Sequence, residues 1–173
     1  DLRYYLLQYF RWQKTIGGKG ELDSAWNIEV DNNGGLYLMA NLINEGYTVQ
    51  PGTIPTHLDT NVTLPIIQIS DATSVDPGLK SGYLLKYNTS TGNLIWNKAL
   101  QGDTNFLLRN CDSQMMYMDS QKNIHAILGF RAGTHLSGLI TVPSSFTTTY
   151  QYFLVKFNYD NGNMTPLTPV LLP

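Results

Sequence analysis

The chain has 173 residues, of which 42% are hydrophobic and 14% charged, a composition typical of a globular protein with a mildly charged surface. Its eleven basic and thirteen acidic residues give a formal net charge of -2 and form no run of either sign. This pattern argues against binding to nucleic acid or anionic lipid, and no apolar stretch reaches the roughly twenty residues that span a bilayer.

The chain opens with a clipped version of a pattern that it later repeats. Tyr4–Tyr9 matches Tyr83–Tyr87, and Trp12-Gln-Lys matches Trp96-Asn-Lys. Repetition at this scale indicates one supersecondary unit used several times, each burying a face against its neighbour. We therefore expect residues 1–18 to be the end of a preceding unit. Gly17-Gly18 would let the chain turn into the next unit, where a side chain would collide.

The first complete unit is predicted to span residues 19–101. Its strands are short runs of aromatic and branched residues bounded by Gly, Asn, Asp or Ser. They are predicted at Ala25–Val30, Leu36–Asn41, Ser81–Tyr87 and Asn93–Leu100. The segments Asp31-Asn-Asn-Gly-Gly and Asn88-Thr-Ser-Thr-Gly-Asn supply the positive φ that tight antiparallel turns need. A long loop at 43–80 separates the second strand from the third.

The second unit, residues 102–173, repeats this order with a shorter middle loop. Its strands are predicted at Cys111–Met118, Asn123–Phe130 and Gln151–Asn158, with a weak last strand beginning near Met164. Asp31 precedes Asp119 by 88 residues but Tyr83 precedes Phe153 by only 70, so the first loop is eighteen residues longer. This unit departs from the pattern in three ways: Gln101-Gly102 replaces Gly-Gly, the Asp-x-Ala before the first strand is missing, and no Trp follows Met164.

These patterns predict an all-β fold with almost no helix, because no window carries apolar residues at helical spacing. Four antiparallel strands repeated along a chain are typical of β-propeller blades. The chain would supply about two blades plus half of another. Because a propeller closes with about four to eight blades, we expect a larger propeller in which further blades, other copies or partners cover the apolar end faces.

The repeat also resembles a known family. The segments that carry the resemblance are Trp12-Gln-Lys-Thr-Ile-Gly-Gly, Asp23-Ser-Ala, Ile28-Glu-Val-Asp, Gly35-Leu-Tyr, Tyr83-Leu-Leu-Lys-Tyr and Gly92-Asn-Leu-Ile-Trp. They are similar to the SBBP type of β-propeller repeat, which occurs in secreted and surface proteins of bacteria, and they cover most of the chain outside 43–80 and 131–150. Tyr83–Trp96 is also similar to the PQQ-like propeller repeat. The resemblance implies an extracellular or cell-surface protein and makes Asp23 a polar tie between blades.

The residues on which this interpretation depends are structural rather than catalytic. Trp12 and Trp96 lie at matching places in the repeat, which indicates packing between blades rather than stacking on a ligand, whereas Trp26 has no counterpart. The residues expected to define the repeat are Trp12, Gly17, Gly18, Asp31, Tyr37, Lys86, Gly92 and Trp96.

The chemical inventory nominates no catalytic, cofactor-binding or metal-binding residue. His57, His125 and His135 are too scattered for a metal-ligand pair, and His125 is interpreted as a hydrogen-bonded structural residue within a strand. Cys111, the single cysteine, has no activating neighbour in the sequence and is expected to be a buried thiol. A carboxylate pair for hydrolysis would need Glu21 and Asp23 to face one cleft, whereas the resemblance favours Asp23 as a polar tie between blades.

Oxygen-rich segments offer weaker signals. Asp31-Asn-Asn-Gly-Gly lacks the ligand spacing of a calcium loop and is interpreted as a plain turn. The loop from Ile43 to Lys80, which contains Asp59, Asp71 and Asp76, is either a partner-binding surface grafted onto the scaffold or a decorative insertion. Three Asn-x-Ser/Thr motifs, at Asn61, Asn88 and Asn163, would matter only in a eukaryotic secretory pathway.

Two classes of function follow from the sequence. The favoured one is a non-catalytic scaffold or binding module of a secreted, surface or assembly-associated protein that recognises protein or glycan through its loops. The alternative is a fragment of a propeller enzyme such as a PQQ-dependent dehydrogenase, with a cofactor over the central channel. No calcium ligands or cation for such a cofactor can be nominated, so the sequence predicts neither an enzyme nor a cofactor.

Overall fold

The computed structural model describes residues 12–17, 24–42, 45–46, 56–64, 67–68, 81–100, 111–164 and 169–173. Within these ranges the chain is all-β, and a single 3-10 turn at Leu136–Gly138 is the nearest approach to a helix. The strands are β1 (Ser24–Val30), β2 (Gly35–Leu42), β3 (Glu45–Gly46), β4 (His57–Asp59), β5 (Val62–Thr63), β6 (Ile67–Gln68), β7 (Ser81–Asn88), β8 (Leu94–Ala99), β9 (Cys111–Met118), β10 (Asn123–Phe130), β11 (Gly133–His135), β12 (Ile140–Val142), β13 (Gln151–Asn158) and β14 (Val170–Leu171). The described part of the chain holds no helix that could cross a membrane.

Two four-stranded antiparallel sheets dominate the fold. The first sheet has the order β1-β2-β7-β8, and the second has the order β9-β10-β13-β14 when read from its first strand. In each sheet every strand pairs with the next principal strand along the chain, and the long connection joins the second strand to the third. The predicted pair of four-stranded antiparallel units is therefore confirmed, together with the positions of seven of the eight strands.

The register of the two sheets is the same, pair by pair. Gly35 lies opposite Asn88 in the first sheet, and Asn123 lies opposite Asn158 in the second. A bulge interrupts β1 beside Met39 and β9 beside Ile127, which occupy the same place in their sheets. We call residues equivalent when they differ by 88 along β1/β9 and β2/β10, or by 70 along β7/β13. The sequence alignment thus describes a real structural repeat.

The short turns are closed by side-chain oxygens, which explains their composition. Oδ1 of Asp31 accepts hydrogen bonds from the backbone N–H groups of Asn33 and Gly35, at 2.8 and 2.7 Å. Oδ1 of Asp119 accepts the equivalent bonds from Gln121 and Asn123, at 2.9 and 2.8 Å. Such bonds replace backbone partners that the turn cannot offer, so these four donors are satisfied within their turns.

The last strand of the second sheet differs from the prediction. Near Met164 there is a single bridge to Phe157, and the strand β14 comes later, with Val170 and Leu171 opposite Leu154 and Phe153. These two residues take the places of Lys98 and Ala99 in the first sheet. The short pairing has a physical reason, because the segment lacks the alternating apolar residues and the Trp that secure β8.

The sheets stack face to face around one shared core. Tyr37, Met39 and Leu84 of the first sheet pack against the second sheet. The side chains they meet are Cys111, Met116, Ile124, Ala126, Leu128, Phe130, Phe153, Val155 and Phe157. A second core lies on the other face of the first sheet, where Leu38, Leu85 and Tyr87 meet Leu58 of the long loop and Ile16. The first sheet is therefore covered on both faces over its central strands.

Candidate functional site

The tryptophans of the repeat join each outer segment to the next sheet. Nε1 of Trp12 donates to the carbonyl of Thr89 at 2.7 Å, and Nε1 of Trp96 donates to the carbonyl of Asp160 at 2.8 Å. Both carbonyls belong to the turn between the third and fourth strands of the sheet that follows. Both indoles therefore pack against a turn of the following sheet, which is the packing role that the sequence predicts, rather than stacking on a ligand.

Glycine in those turns makes room for the indoles. Gly92 and Gly162 have φ of +72° and +68°, a conformation that side chains rarely adopt. A Cβ atom at Gly92 would lie 2.7 Å from Cδ2 of Trp12, and one at Gly162 would lie 2.7 Å from Cζ3 of Trp96. The indole therefore rests directly on the glycine backbone at both places.

A polar cluster stands beside Trp96 at the junction of the sheets. Nζ of Lys86 donates to the carbonyl of Tyr159 at 3.2 Å and lies 4.4 Å from the centre of the Tyr159 ring. The hydroxyl of Tyr37 lies 2.9 Å from Oδ2 of Asp31 and 3.3 Å from the same Tyr159 carbonyl. Lys86 is only 9% exposed, and the charge of its ammonium is stabilised by a carbonyl and by two aromatic faces.

The protonation states of this cluster follow from its contacts. Burial and the hydrogen bond to Asp31 raise the pKa of Tyr37 well above its usual range. Partial burial alone would raise the pKa of Asp31, but hydrogen bonds from Gly35, Tyr37 and Asn33 outweigh it and lower the pKa. The cluster is therefore a carboxylate, a neutral phenol and an ammonium held in place, which suits a structural junction better than proton transfer.

The second sheet carries the same arrangement with histidine in place of tyrosine. Nε2 of His125 lies 2.9 Å from Oδ2 of Asp119, just as the Tyr37 hydroxyl meets Asp31. The contact with His125, followed by those with Asn123, lowers the pKa of Asp119 well below its usual range. His125 thus has the hydrogen-bonded place in a strand that its sequence context predicts.

The other candidate residues lie apart from one another. His57 pairs its backbone with Gly17, and buried His135 stacks on Phe130 with its Nε2 2.8 Å from the carbonyl of Arg131. Cys111 is fully buried, and burial raises the pKa of its thiol well above the usual range, so it is unsuited to nucleophilic attack. Among the described residues no three His, Cys, Asp or Glu side chains come close enough to hold a metal ion.

Several sequence candidates fall outside the described residues. They are Gly18, Glu21, Asp23, Asp71 and Asp76. The absence of a catalytic, cofactor or metal residue therefore stays a prediction.

Residues 56–64, one of the described parts of the long loop, contain a hairpin that docks on the first sheet. The carbonyl of Leu58 accepts a hydrogen bond from the Tyr87 hydroxyl at 2.8 Å, and Leu58 is completely buried. Asp59 accepts bonds from the backbone N–H of Leu94 and from Nζ of Lys14, which together lower its pKa to about 2. Residues 56–64 thus serve the core, so a partner-binding surface on this loop would have to lie in its other parts.

A groove of about 420 Å³ runs beside the connection that follows β10. Its walls come from the 3-10 turn and Leu139 on one side, and from Lys98, Phe157 and Asn163 on the other. Leu139 is 50% exposed, whereas Nζ of Lys98 bonds Oδ1 of Asn163 at 2.9 Å. The backbone of Leu136 and Ser137 has positive φ, a strained conformation that is often found at binding sites. The groove offers an apolar wall and amide oxygens, a surface suited to recognition rather than bond breaking.

No family model, curated protein or solved structure matches this chain.

Tyr159 is the residue at the junction that the repeat pattern does not reveal. It touches Tyr37, Lys86 and Lys122, and its own ring lies 6.0 Å from that of Tyr37. The corresponding turn position of the first sheet is Thr89, so comparison of the units gives no aromatic signal there. Its place immediately after Asn158, in a turn that follows a buried strand, is the signal that could have indicated a contact with the neighbouring sheet.

Proposed function

We propose that this chain is a segment of a β-propeller of the SBBP repeat type, acting as a non-catalytic scaffold or binding module of a secreted, surface or assembly-associated protein. In this proposal residues 1–18 end one blade, residues 19–101 form the next, and residues 102–173 form another. Recognition of protein or glycan takes place through the loops.

The observation that carries the proposal is the direction in which the sheets stack. The face of the first sheet that holds Tyr37, Met39 and Leu84 meets the opposite face of the second sheet. The contact is therefore heterologous, joining two different faces of equivalent sheets, and heterologous contacts generate rings when the rotation closes. Trp12 contacts the turn between β7 and β8 as Trp96 contacts the turn between β13 and β14, so the indole contact recurs at the same place in both sheets.

An exposed apolar strip on the first sheet also supports the proposal of a propeller. Ile28 and Val30 of β1 are 59% and 60% exposed. Their equivalents in β9, Met116 and Met118, pack into the core between the sheets. A preceding blade on this side would cover Ile28 and Val30 in the same manner. The strip is thus uncovered on the first sheet, whereas the equivalent strip of the second sheet is covered by its neighbour.

The placement of the loops supports a recognition role. In both sheets the connections from the second to the third strand leave the same end, and the short turns occupy the other end. Propellers commonly present functional loops from a rigid scaffold, because the repeat can be conserved in shape while its loops change. The groove beside Leu139 is a candidate recognition surface on the described part of the chain.

Electron microscopy of the native protein, with its intact mass, tests the propeller. We expect a ring of radial sheets around an axis, about four to eight in number, and a mass that accounts for them. Two stacked sheets without a ring, in a protein no larger than this chain, would overturn the proposal.

An oligosaccharide array probed with the labelled protein tests recognition by the groove. For any glycan that binds, Leu139→Asp is expected to weaken binding by about tenfold or more, because a charge would replace the apolar wall of the groove. Ile95→Asp is the matched control, since Ile95 is exposed to a similar extent, 51% against 50%, and does not line the groove. Equal binding by both variants would remove the groove from the proposal.

A further inference from the structure

Two tyrosines at the start of β13 form an aromatic surface on the second sheet. A Cβ atom added to Gly129 would lie 2.7 Å from Cε1 of Tyr152, and 3.1 and 3.2 Å from the neighbouring ring atoms Cδ1 and Cζ. These distances fit a point above the ring rather than beyond its edge, so the ring lies flat over the glycine backbone. The ring of Tyr150 is next to it, with the two centres 6.2 Å apart. One face of the half-buried Tyr152 ring is therefore against the sheet, and the other is turned outwards.

The strand register explains why the ring lies in this way. Asp112, Gly129 and Tyr152 are opposite one another in three adjacent strands, so their side-chain positions share one face of the sheet. The middle position is glycine, and the ring of Tyr152 crosses it to reach the carboxylate on the far strand. Glycine at 129 is thus required, because a side chain there would lift the ring from the sheet.

Polar side chains border the two rings. The Tyr152 hydroxyl donates to Oδ2 of Asp112 at 2.8 Å, and Nε2 of Gln114 donates to the same oxygen at 2.5 Å. Burial, followed by the bond to Asp112, raises the pKa of Tyr152 to about 12, so the hydroxyl keeps its proton at neutral pH. The guanidinium carbon of Arg131 lies 5.1 Å from the centre of the Tyr150 ring. We call this group the tyrosine platform, and it consists of Asp112, Gln114, Arg131, Tyr150 and Tyr152.

The first sheet has no such platform. The equivalent of Tyr152 is Gly82, and the equivalent of Asp112 is Ser24. The second sheet comes close to the backbone of Gly82, where an added Cβ atom would lie 2.9 Å from Sγ of Cys111. A sheet that packed equally closely at this end of the second sheet would collide with the Tyr152 ring, and a cleft would remain between them. The platform is therefore specific to this unit, and in a repeat protein such departures are the places where binding sites are added.

The charges of the platform indicate the class of ligand. A cation would be repelled by Arg131 and an anion by Asp112, whereas a neutral hydroxyl group can accept from a guanidinium and donate to a carboxylate. The outward face of Tyr152 is electron-rich and suits the C–H groups on the flat side of a sugar ring. Aromatic faces combined with a few fixed polar groups are typical of small-molecule and sugar sites.

We propose, resting on the recognition role proposed above, that the tyrosine platform binds a neutral glycan. A sugar ring stacks on the outward face of Tyr152, and its hydroxyl groups bond the side chains of Asp112 and Gln114. The bond between Tyr152 and Asp112 holds both groups in place before the glycan arrives, which lowers the entropy lost on binding.

An array of neutral, sialylated and amino-sugar oligosaccharides, probed with the labelled native protein, tests the proposal. We expect neutral oligosaccharides to bind, and Tyr152→Gly to weaken their binding by about tenfold or more, because the stacking surface is lost. This variant carries the residue of the equivalent position, Gly82. Tyr117→Ala is the matched control, since Tyr117 is an exposed tyrosine of the same face near the other end of β9. Equal losses in the two variants, or an array on which no neutral oligosaccharide binds, would overturn the proposal.

A second variant keeps the test decisive if Tyr152→Gly fails to fold. Gln114 is exposed, so Gln114→Ala should leave the circular dichroism spectrum and the midpoint of urea unfolding unchanged. It should weaken the binding of neutral oligosaccharides by about threefold, because one hydrogen bond is lost. Gln121→Ala, on an exposed turn outside the platform, should have no effect. Unchanged binding by Gln114→Ala would contradict the proposal.

This inference and the proposed function fail in different ways. Loss of binding in Leu139→Asp, with full binding in Tyr152→Gly, would reject the platform and leave recognition by the groove standing. Loss in Tyr152→Gly, with full binding in Leu139→Asp, would support the platform and remove the groove. Binding at the platform in a protein that forms no ring would support this inference and reject the propeller.

Discussion

Replacing Trp96 with alanine is expected to lower the free energy of unfolding by about 3 kcal/mol, at the low end of the range for Trp→Ala because the indole is only partly buried. The substitution removes the hydrogen bond to the Asp160 carbonyl and the packing of the indole on Gly162. It also removes the neighbour of the Tyr37 ring, whose centre lies 6.1 Å from that of Trp96. Urea unfolding followed by tyrosine fluorescence or circular dichroism measures the change.

The adjacent residue provides a control for this substitution. Ile95→Ala changes the same strand, but its side chain is 51% exposed, so we expect a change within about 0.5 kcal/mol. Comparable losses from the two substitutions would show that β8 contributes only as a strand. Trp96 would then not have the stabilising role at the junction between the sheets that we assign to it.

A double-mutant cycle with Gly162 tests the contact directly. Gly162→Ala alone should cost more than the roughly 1–2 kcal/mol of a left-handed backbone, because its Cβ would lie 2.7 Å from the indole. In the Trp96→Ala background the collision with the indole disappears, while the left-handed backbone and the approach of the new Cβ to Cγ of Lys98 at 2.9 Å remain, so the combined loss should fall short of the sum. Additivity within about 0.5 kcal/mol would contradict the packing of Trp96 on Gly162.

The principal strands could be predicted because each is a local pattern repeated at a fixed distance. The runs around Tyr37, Tyr83 and Phe153 are short and rich in aromatic and branched residues, and the turns beginning at Asp31 and Asp119 carry their own acceptors. The two copies of the unit reinforce each other, so the alignment of their residues located equivalent strands in both sheets.

The remaining elements depend on contacts that are distant in the sequence. The hairpin β4–β5 is too short to show a period, and its position is set by Tyr87 and Leu94, which lie about thirty residues further along the chain. Tyr159 is fixed by the neighbouring sheet, and β14 by a pairing of two residues. Because such elements are selected by tertiary contacts rather than by propensity, the composition of the loops does not reveal them.

The residues of the candidate site also divide into those that the sequence could predict and those that it could not. The tryptophans and Lys86 could be nominated because they recur in the repeat or stand within its motifs. The groove beside Leu139 could not, since it depends on how the connection after β10 lies against Lys98 and Phe157. A loop that differs between the two units has no counterpart in the chain with which it can be aligned. Such loops are also the places where a repeat protein acquires its specificity.

Replacing Leu58 with alanine is expected to cost about 3 kcal/mol, because its side chain is completely buried between the hairpin and the first sheet. The resulting cavity would border Leu85 and Tyr87, whose positions are fixed by the sheet and cannot collapse onto it. Loss of this packing should also loosen the bonds that Asp59 makes with Leu94 and Lys14. Urea unfolding and hydrogen exchange at Leu94 measure the two effects.

Asn61, at the tip of the same hairpin, supplies the matched control, since it is exposed and its replacement by alanine should change stability by no more than about 0.5 kcal/mol. If Leu58→Ala costs as little as Asn61→Ala, the hairpin does not belong to the core, and the whole of 43–80 returns as a candidate binding surface. If it costs the expected amount, residues 56–64 must be kept in any loop exchange. A partner that binds this loop would then be sought through its other segments, because the hairpin is already committed to covering the first sheet.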